Sequence, residues 1–276
     1  LNSQFAQNRL NNNNENLAKV ISKVSSGERV QKSIDDGASH AIAESLKSDA
    51  RTIRQGLRNL QNGLSLINVA ERGLTDVAGM LNRSIELASQ ASTGTIGSAE
   101  RISLQLEYDA LKQEINRIAN TNEFSGQNLL DGSLAASDLS EDIIIHIGLD
   151  SSDENRINLN ESLDLKAITT TSLGIDALNL STAESSKAAL GKLQEAIDTL
   201  INSRGRIGAT HNSLTRATQS LGVNIENITA AESTIRDSDM AQEVTDLTKQ
   251  LLLTQTSAAM VGQSNLIPEG VLLLLQ

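Results

Sequence analysis

The residue types best suited to chemistry in this sequence lie together in SSGERVQKSIDDGASHAI, residues 25–42. Asp35 and Asp36 are adjacent carboxylates and His40 follows them, a set that could work as general acid and base. Catalysis would also need a nucleophile, metal ligands or a pocket, and none is evident nearby. We interpret the stretch as a bend between two helices, in which Asp35 or Asp36 caps a helix that begins near Ala38.

Other chemical motifs are equally sparse. The three histidines, His40, His146 and His211, are too dispersed to suggest a metal site, and neither H-E-x-x-H nor G-x-S-x-G occurs. DSSDEN, residues 150–155, resembles a calcium loop but lacks its glycine and distal Glu, so we predict a solvated hairpin turn. We therefore expect no catalytic residue, no cofactor and no metal, and a protein that is not an enzyme.

Composition points to long helices. The 276 residues include one Pro, no Cys, no Trp and two Phe, so helices can run uninterrupted and the core must be aliphatic. A net charge of −11 argues against nucleic acid as a partner, and no apolar run is long enough to span a membrane. The first 20 residues are Asn-rich and do not resemble a signal peptide. Because the chain starts at Leu1 rather than Met, we expect further residues before it.

An apolar repeat of 3.5 residues runs through the N-terminal half. Steps of four and three from Leu46 to Ala88 meet apolar residues at every position except Glu71, which predicts a helix of roughly 70 Å over residues 45–92. Matching repeats predict its partners in a small bundle. One repeat comprises Leu104, Tyr108, Leu111, Ile115 and Ile118, and the other Leu190, Leu193, Ile197, Leu200, Arg204, Ile207, His211, Leu214, Thr218, Leu221, Ile225 and Ile228. We interpret the polar members as residues that fix register, and we hypothesise a Glu71–Arg204 pair.

The two ends carry weaker repeats of the same kind. They comprise Leu10, Leu17, Val20 and Val24 at one end, and Met240, Val244, Leu247, Leu251, Ala258 and Val261 at the other. Between the halves, EDIIIHIGLD and NRINLN alternate polar and apolar residues and predict a β-hairpin. The predicted fold is mainly α: a long antiparallel coiled-coil-like helical rod formed by the N- and C-terminal halves. It carries a small β-hairpin-containing central tip, either laterally displaced or distal.

Four stretches resemble bacterial flagellins. VSSGERVQKSIDDGASHAIAESL (24–46) is similar to the family's LSSG-x-RI-x-x-A-x-DDAAG-x-AI, and NEFSGQNLLDG (122–132) to its F-NG-x-x-LLDG. Residues 203–244, which include NIENITAAESTIRDSDMA, and the closing LLLTQTSAAMVGQSNLIPEGVLLLL follow its C-terminal motifs. The sequence departs from the family pattern at Glu28 and His40.

The resemblance implies a structural subunit that self-assembles into the flagellar filament and serves motility. It implies five segments: an inner-core helix and bend (1–44), outer-core rod helices (45–133), a short β-containing variable region (134–180), an outer-core helix (181–235) and an inner-core helix (236–276). It also implies assembly through terminal arms that contain Leu10, Leu17, Val24, Met240, Val244, Leu247, Leu251 and Val261. We expect both arms to be disordered in the monomer and to become helical on incorporation, since neither can bury enough apolar surface alone.

The implied partners are further copies of the chain, the flagellar export apparatus, a flagellin chaperone, the hook-associated junction and cap proteins, and an innate immune receptor. The motif for that receptor carries over to NRSIELASQ (82–90) as Arg83, Glu86 and Leu87, with Glu107 from the neighbouring helix. Because Ile85 replaces an Arg of the motif, we favour a subunit-contact face over receptor binding. The implied location is a secreted filament, extracellular or else sheathed or periplasmic.

Two alternative functions remain at this stage. The hook–filament junction adaptor shares the helical termini, although its closing segment matches AMVGQSN and VLLLL poorly. A chemoreceptor-like signalling coiled coil would share the acidic heptads, but it would turn tightly at its tip, where this chain has about 40 β-prone, acidic residues.

Overall fold

The computed structural model describes residues 2–136 and 142–274. The helices are α1 (Asn2–Ser26), α2 (Gly37–Ala91), α3 (Ser98–Thr121), α4 (Leu159–Leu163), α5 (Ala183–Arg236) and α6 (Met240–Leu274). The strands are β1 (Glu123–Phe124), β2 (Gln127–Asn128), β3 (Ile144–His146) and β4 (Arg156–Asn158), paired antiparallel as β1–β2 and β3–β4. Within the described residues, no helix is apolar over a stretch long enough to cross a bilayer.

The chain divides into two compact units. The terminal unit comprises Leu1–Ala50 and Glu226–Gln276, and the central unit comprises Arg51–Ile225. Helices α2 and α5 contribute residues to both units. Long paired helices with a small antiparallel hairpin confirm the predicted fold class.

The core of the central unit follows the predicted repeat. Helix α2 extends through the predicted helical range, and its repeat residues Leu60, Ile67, Leu74 and Leu81 are fully buried. They belong to one apolar cluster with Tyr108 and Ile115 of α3 and with Leu193, Leu200, Ile207 and Leu214 of α5. The three-helix bundle predicted from the repeats is therefore confirmed in this unit.

The predicted seam of α5 needs a correction of one residue. The repeat placed Leu190, Ile197, Arg204 and His211 on the seam, but these side chains are only half-buried. The buried positions are the small residues that precede each of them, namely Ala189, Ala196, Ser203 and Thr210. Small side chains let helix backbones approach closely, so the longer neighbours are displaced to the edge of the contact.

The predicted Glu71–Arg204 pair is confirmed. Arg204 donates from Nε and from a terminal guanidinium nitrogen to Glu71 Oε1, at 2.9 and 2.7 Å. The pair joins α2 to α5 at the single polar position of the α2 repeat, and His211 lines the same shallow groove. A directional pair in an otherwise apolar seam disfavours sliding by a heptad, consistent with the predicted role in register.

A second buried stripe on α2 was not predicted. Its residues recur every seven positions as Gly56, Gly63, Ala70, Val77, Ser84 and Ala91. The β-hairpin packs against the two glycines: a Cβ on Gly56 would lie 2.6 Å from the Ile147 carbonyl oxygen, and a Cβ on Gly63 would collide with Ile145. Asn59 also donates to the His146 carbonyl oxygen at 2.9 Å. The hairpin therefore lies on the side of α2, the lateral alternative of the prediction.

The DSSDEN stretch forms the predicted hairpin turn. The Asp150 carboxylate accepts hydrogen bonds from the Ser152 amide (3.0 Å), the Ser152 hydroxyl (2.6 Å) and the Asn155 amide group (2.5 Å). These bonds, led by those from Ser152, lower the pKa of Asp150 to about 2. The carboxylate is thus used to close the turn between β3 and β4.

Candidate assembly faces

The two aspartates of the bend serve backbone structure. Asp36 Oδ1 accepts from the amides of Ala38 and Ser39, both at 3.1 Å, and Asp36 Oδ2 accepts from the Ser39 hydroxyl at 2.6 Å. Asp36 therefore caps α2, as predicted, and these bonds, led by the Ser39 hydroxyl, lower its pKa. Asp35 accepts instead from the Lys32 amide at 3.1 Å. Both carboxylates are therefore engaged in hydrogen bonds, Asp35 within the turn and Asp36 in the cap of α2.

Arg236 ties the bend to the ends of two helices. Its largely covered guanidinium lies 2.9 Å from Glu28, 3.0 Å from Glu44 and 3.6 Å from Glu232. Burial lowers the pKa of Arg236, but the bonds and charges of Glu28 and Glu44 raise it overall. Glu28, one of the departures from the family motif, thus has a structural partner. The backbone adds a bridge between Glu28 and Asp237.

Helices α1 and α6 pack together in the terminal unit. On α1, the predicted arm residues Leu10, Leu17 and Val24 all lie half-buried on one stripe. On α6, Leu247 and Val261 are half-buried in the same way. The stripe of α6 that is buried is otherwise largely polar, and Asn13 of α1 donates to the Ser257 hydroxyl across the contact at 2.7 Å.

Polar atoms are left without partners in this contact. Gln250 Oε1 and Thr254 Oγ1 are inaccessible to solvent and have no hydrogen-bond partner among the described residues. A buried polar atom without a partner costs free energy, typically about 1–3 kcal/mol. These two atoms therefore weaken the α1–α6 contact.

The apolar surface of α6 lies on its other sides. Met240, Val244 and Leu251 were predicted to share a stripe with Leu247 and Val261, but they are 41–48% exposed. Further exposed apolar side chains of α6 are Leu252, Leu253 and Met260. The predicted arm residues thus divide between two faces, because polar residues occupy the stripe that faces α1. Apolar spacing alone could not reveal this inversion of α6, in which the polar stripe is covered and the apolar side is exposed.

A groove runs along the exposed part of α6. Its open volume is about 570 Å³, and it is lined by Val244, Thr245, Thr248, Lys249, Leu252, Leu253 and Thr256. Apolar carbon dominates the lining, and Lys249 is its single charged residue. An open apolar surface of this kind is typical of a protein contact.

A second candidate face lies on α2 and α3 in the central unit. Arg83 donates from Nε to Glu107 Oε1 at 2.8 Å and from a terminal nitrogen to Glu86 Oε2 at 2.9 Å. The Glu107 bond is the main reason that the pKa of Arg83 is raised. These three predicted residues form one exposed network. Leu87, predicted with them, is 0% exposed in the core, so its assignment to an exposed face is wrong.

Two exposed apolar residues on α3 were missed. Ile102 and Leu106 are 58% and 68% exposed, and Leu106 directly precedes Glu107. Their spacing of four residues puts them on the same side of the helix. Both fall outside the Leu104–Tyr108–Leu111 repeat, so apolar residues off the seam are the signal that could have identified them.

Comparison with known proteins identifies the family. The model of the "Bacterial flagellin N-terminal helical region" matches residues 1–135, and that of the "Bacterial flagellin C-terminal helical region" matches residues 190–275. The flagellar filament 30.7 kDa core protein of Treponema maltophilum is 34% identical over 284 residues, which span 100% of this chain and 98% of that protein. The chain belongs to the bacterial flagellin family. Its resemblance to the family motifs is thereby confirmed.

Further relatives support membership of the same family. The flagellin of Bacillus subtilis (strain 168) is 34% identical, with 98% of this chain and 96% of that protein covered. The crystal structure of Bacillus cereus flagellin matches with a TM-score of 0.50 and 31% identity over 59% of this chain and 88% of that one. A putative hook-associated protein from Vibrio parahaemolyticus shares the fold at 14% identity and a TM-score of 0.58, over 74% and 100% of the two chains.

These relatives decide between the predicted functions. Filament core proteins and flagellins match over nearly their whole length, whereas the hook-associated structure shows similarity of fold alone. This flagellin is a structural subunit that self-assembles into the flagellar filament. The junction adaptor and the chemoreceptor-like coiled coil are not favoured.

Proposed function

We propose that the terminal unit is the assembly element of this flagellin, and that sister copies cover the apolar surface of α6. The observation that carries the proposal is the inversion of α6, in which Gln250 and Thr254 are half-buried and Leu251 and Leu252 are exposed. Exposed aliphatic side chains lose about 25 cal/mol of free energy per Å² when a neighbour removes them from water. A filament supplies that neighbour for every copy.

We further propose that α1 and α6 are unstable as helices in an isolated subunit. Ordering the backbone costs about 1–2 kcal/mol per residue, and the half-buried residues of α1 recover only part of this cost. The partnerless atoms of the α1–α6 contact reduce the gain further. The helical form of both arms is then the form that assembly stabilises.

The five segments predicted from the family remain our proposed division of labour. Residues 1–44 and 236–276 would form the inner core of the filament, 45–133 and 181–235 the outer core, and 134–180 the variable region. The lateral packing of the hairpin on Gly56 and Gly63 supports a variable region that is tied to the outer core.

For the Arg83, Glu86 and Glu107 network we propose a contact between subunits. The exposed Ile102 and Leu106 on the same helix as Glu107 support this role, because apolar side chains beside satisfied charges suit a protein interface. Binding of an innate immune receptor to this network is the competing proposal. It is less well supported, since the carried-over Leu87 is buried.

The remaining partners follow from membership of the family. We propose export through the flagellar secretion apparatus, a chaperone that covers the C-terminal helix before export, and contacts with the hook-associated junction and cap proteins. The exposed apolar side of α6 supports a chaperone, because it would otherwise promote premature association. The proposed location is outside the cytoplasmic membrane, in an extracellular or a sheathed or periplasmic filament.

Seeded assembly tests the proposed function. Purified protein is added to short filament fragments, and negative-stain electron microscopy measures their length. We expect long filaments that elongate from the seeds. Seeds that gain only a terminal cap, or that remain unchanged beside discrete rods, would contradict the assembly role.

A further inference from the structure

The turn at residues 32–35 presents an apolar side chain that its own subunit leaves uncovered. Ile34 is 89% exposed, more than any other large apolar residue whose side chain the structure describes. A single exposed aliphatic residue is common on protein surfaces and needs no explanation by itself. What distinguishes Ile34 is the rigidity of the turn that carries it and the surface available to receive it.

Hydrogen bonds hold the turn on both sides of Ile34. The Asp35 amide donates to the Lys32 carbonyl oxygen at 2.9 Å, and the Lys32 amide donates to Asp35 Oδ2 at 3.1 Å. On one side the chain continues into the Asp36 cap of α2, and on the other the Arg29 amide donates to the Arg236 carbonyl oxygen at 2.7 Å. Because the backbone of the turn is already ordered, little backbone entropy is lost when Ile34 binds a partner.

The α6 groove described above has complementary properties. Val244, Leu252 and Leu253 supply apolar walls, and the lining includes the cation Lys249 but no carboxylate. The turn offers the reverse combination, with Ile34 at its outermost point and the Asp35 carboxylate next to it. Because Ile34 is almost fully exposed, it does not fill the groove of its own subunit.

We propose that Ile34 of one subunit occupies the α6 groove of a second copy, with Asp35 facing Lys249 of that copy. The inference rests on self-assembly through the terminal unit and names the contact it uses. Turn and groove are different surfaces of the same chain, so one copy can join the next head to tail in a heterologous contact. Repetition of such a contact gives an open polymer when the rotation between copies does not close a ring.

Cross-linking provides the test, and the absence of native Cys makes it clean. The variant Ile34→Cys/Thr248→Cys is polymerised on seeds and oxidised, and its products are separated on non-reducing gels. A disulfide needs Cα atoms about 4.4–6.8 Å apart, so bonds report close approach of turn and groove. The matched control is Ile42→Cys/Thr248→Cys, because Ile42 is also exposed in the terminal unit.

The proposal predicts a ladder of covalent oligomers from the Ile34 variant, little from the control, and none from unpolymerised protein. A copolymer of the two single variants should give dimers only. Filaments that assemble normally without the ladder would overturn the inference and leave the assembly role intact. A ladder from Ile21→Cys/Thr248→Cys instead would show that α1 of a neighbour fills the groove. Failure of unmodified protein to elongate seeds would count against the assembly role itself.

Substitution at the turn gives an independent measure that does not require cysteine variants. We expect Ile34→Ala to raise the critical concentration for seeded polymerisation about tenfold, while Ile42→Ala changes it little. Asp35→Lys should raise it about two- to fivefold, and the exchange Asp35→Lys/Lys249→Asp should restore it. An unchanged critical concentration for Ile34→Ala, or no rescue by the exchange, would contradict the contact.

Discussion

The two units of this flagellin use similar helices in opposite ways. In the central unit, α2 and α5 bury apolar repeat residues such as Leu74 and Leu200 almost completely. In the terminal unit, α6 faces α1 with a largely polar stripe, and residues such as Leu251 remain exposed. We interpret the difference to mean that the first unit is complete within one molecule, and we propose that the second is completed by other molecules.

The largest expected effect comes from a matched pair of Leu→Ala variants. Leu74→Ala removes a fully buried side chain and should lower the free energy of unfolding by about 2–5 kcal/mol. Leu251→Ala should change it by less than about 0.5 kcal/mol, because that side chain is already exposed in the isolated subunit. Urea denaturation of the isolated subunit, followed by circular dichroism, measures both.

The second member of this pair, Leu251→Ala, should instead affect polymerisation. Leu251→Ala is expected to raise the critical concentration for seeded assembly, since we propose that neighbouring copies cover that side of α6 in the filament. Sedimentation of filaments at several protein concentrations measures the change. If Leu251→Ala polymerised like the unmodified protein, or destabilised the isolated subunit as much as Leu74→Ala, the contrast between the units would be lost.

A smaller effect is expected where the hairpin meets α2. Gly56→Ala would put a Cβ 2.6 Å from the Ile147 carbonyl oxygen, so the hairpin must shift, at a cost of about 1–3 kcal/mol. Gly79→Ala is the control on the same helix, since no other group lies within 4 Å of its Cβ. Because Ala favours helix over Gly, the control should gain about 0.5–1 kcal/mol. Equal effects of the two variants on urea denaturation would argue against lateral packing of the hairpin.

The smallest expected effect is on stability at low pH. The bond from Arg236, followed by the charge of Lys47, lowers the pKa of Glu44 from its usual 4.5. A carboxyl group with a lowered pKa in the folded state stabilises that state above its usual pKa, and the contribution is lost as pH falls through the lowered value. The isolated subunit should therefore lose part of its folding stability as the pH falls below about 4.5, and the stability of Glu44→Gln should depend less on pH over that window.

The control for the acid experiment is Glu195→Gln, which removes a carboxylate paired with Lys192 in the central unit. Urea denaturation of the isolated subunit at a series of pH values, followed by circular dichroism, gives the free energy of unfolding of each variant. An identical pH dependence for Glu44→Gln and the unmodified protein would show that the Glu44 carboxylate does not contribute to the loss of stability in acid.

Periodicity predicted the fold wherever the buried stripe is apolar. The long helix α2, the hairpin, the cap at Asp36 and the Glu71–Arg204 pair follow from spacing and residue type, which act locally or along a single seam. The second stripe of α2 was missed because Gly56 and Gly63 carry no apolar side chain. Their role depends on the hairpin that packs against them, a distant part of the chain.

The assembly faces were less predictable for a related reason. Apolar spacing identified α6 as an arm but could not tell a buried stripe from an exposed one, and its polar residues decide that question. Leu87 was assigned to an exposed face through a motif, although its place in the apolar core follows from packing against other elements. Ile34 belongs to no repeat, so only its exposure in the folded turn draws attention to it.

Amide hydrogen exchange of the isolated subunit and of the filament tests most directly whether the terminal unit depends on other copies. Residues 10–24 of α1 report on the terminal unit, and residues 60–81 of α2 provide the internal reference. We expect fast exchange in residues 10–24 of the isolated subunit, strong protection of them in the filament, and protection of residues 60–81 in both states. Equal protection of residues 10–24 in the two states would contradict the claim.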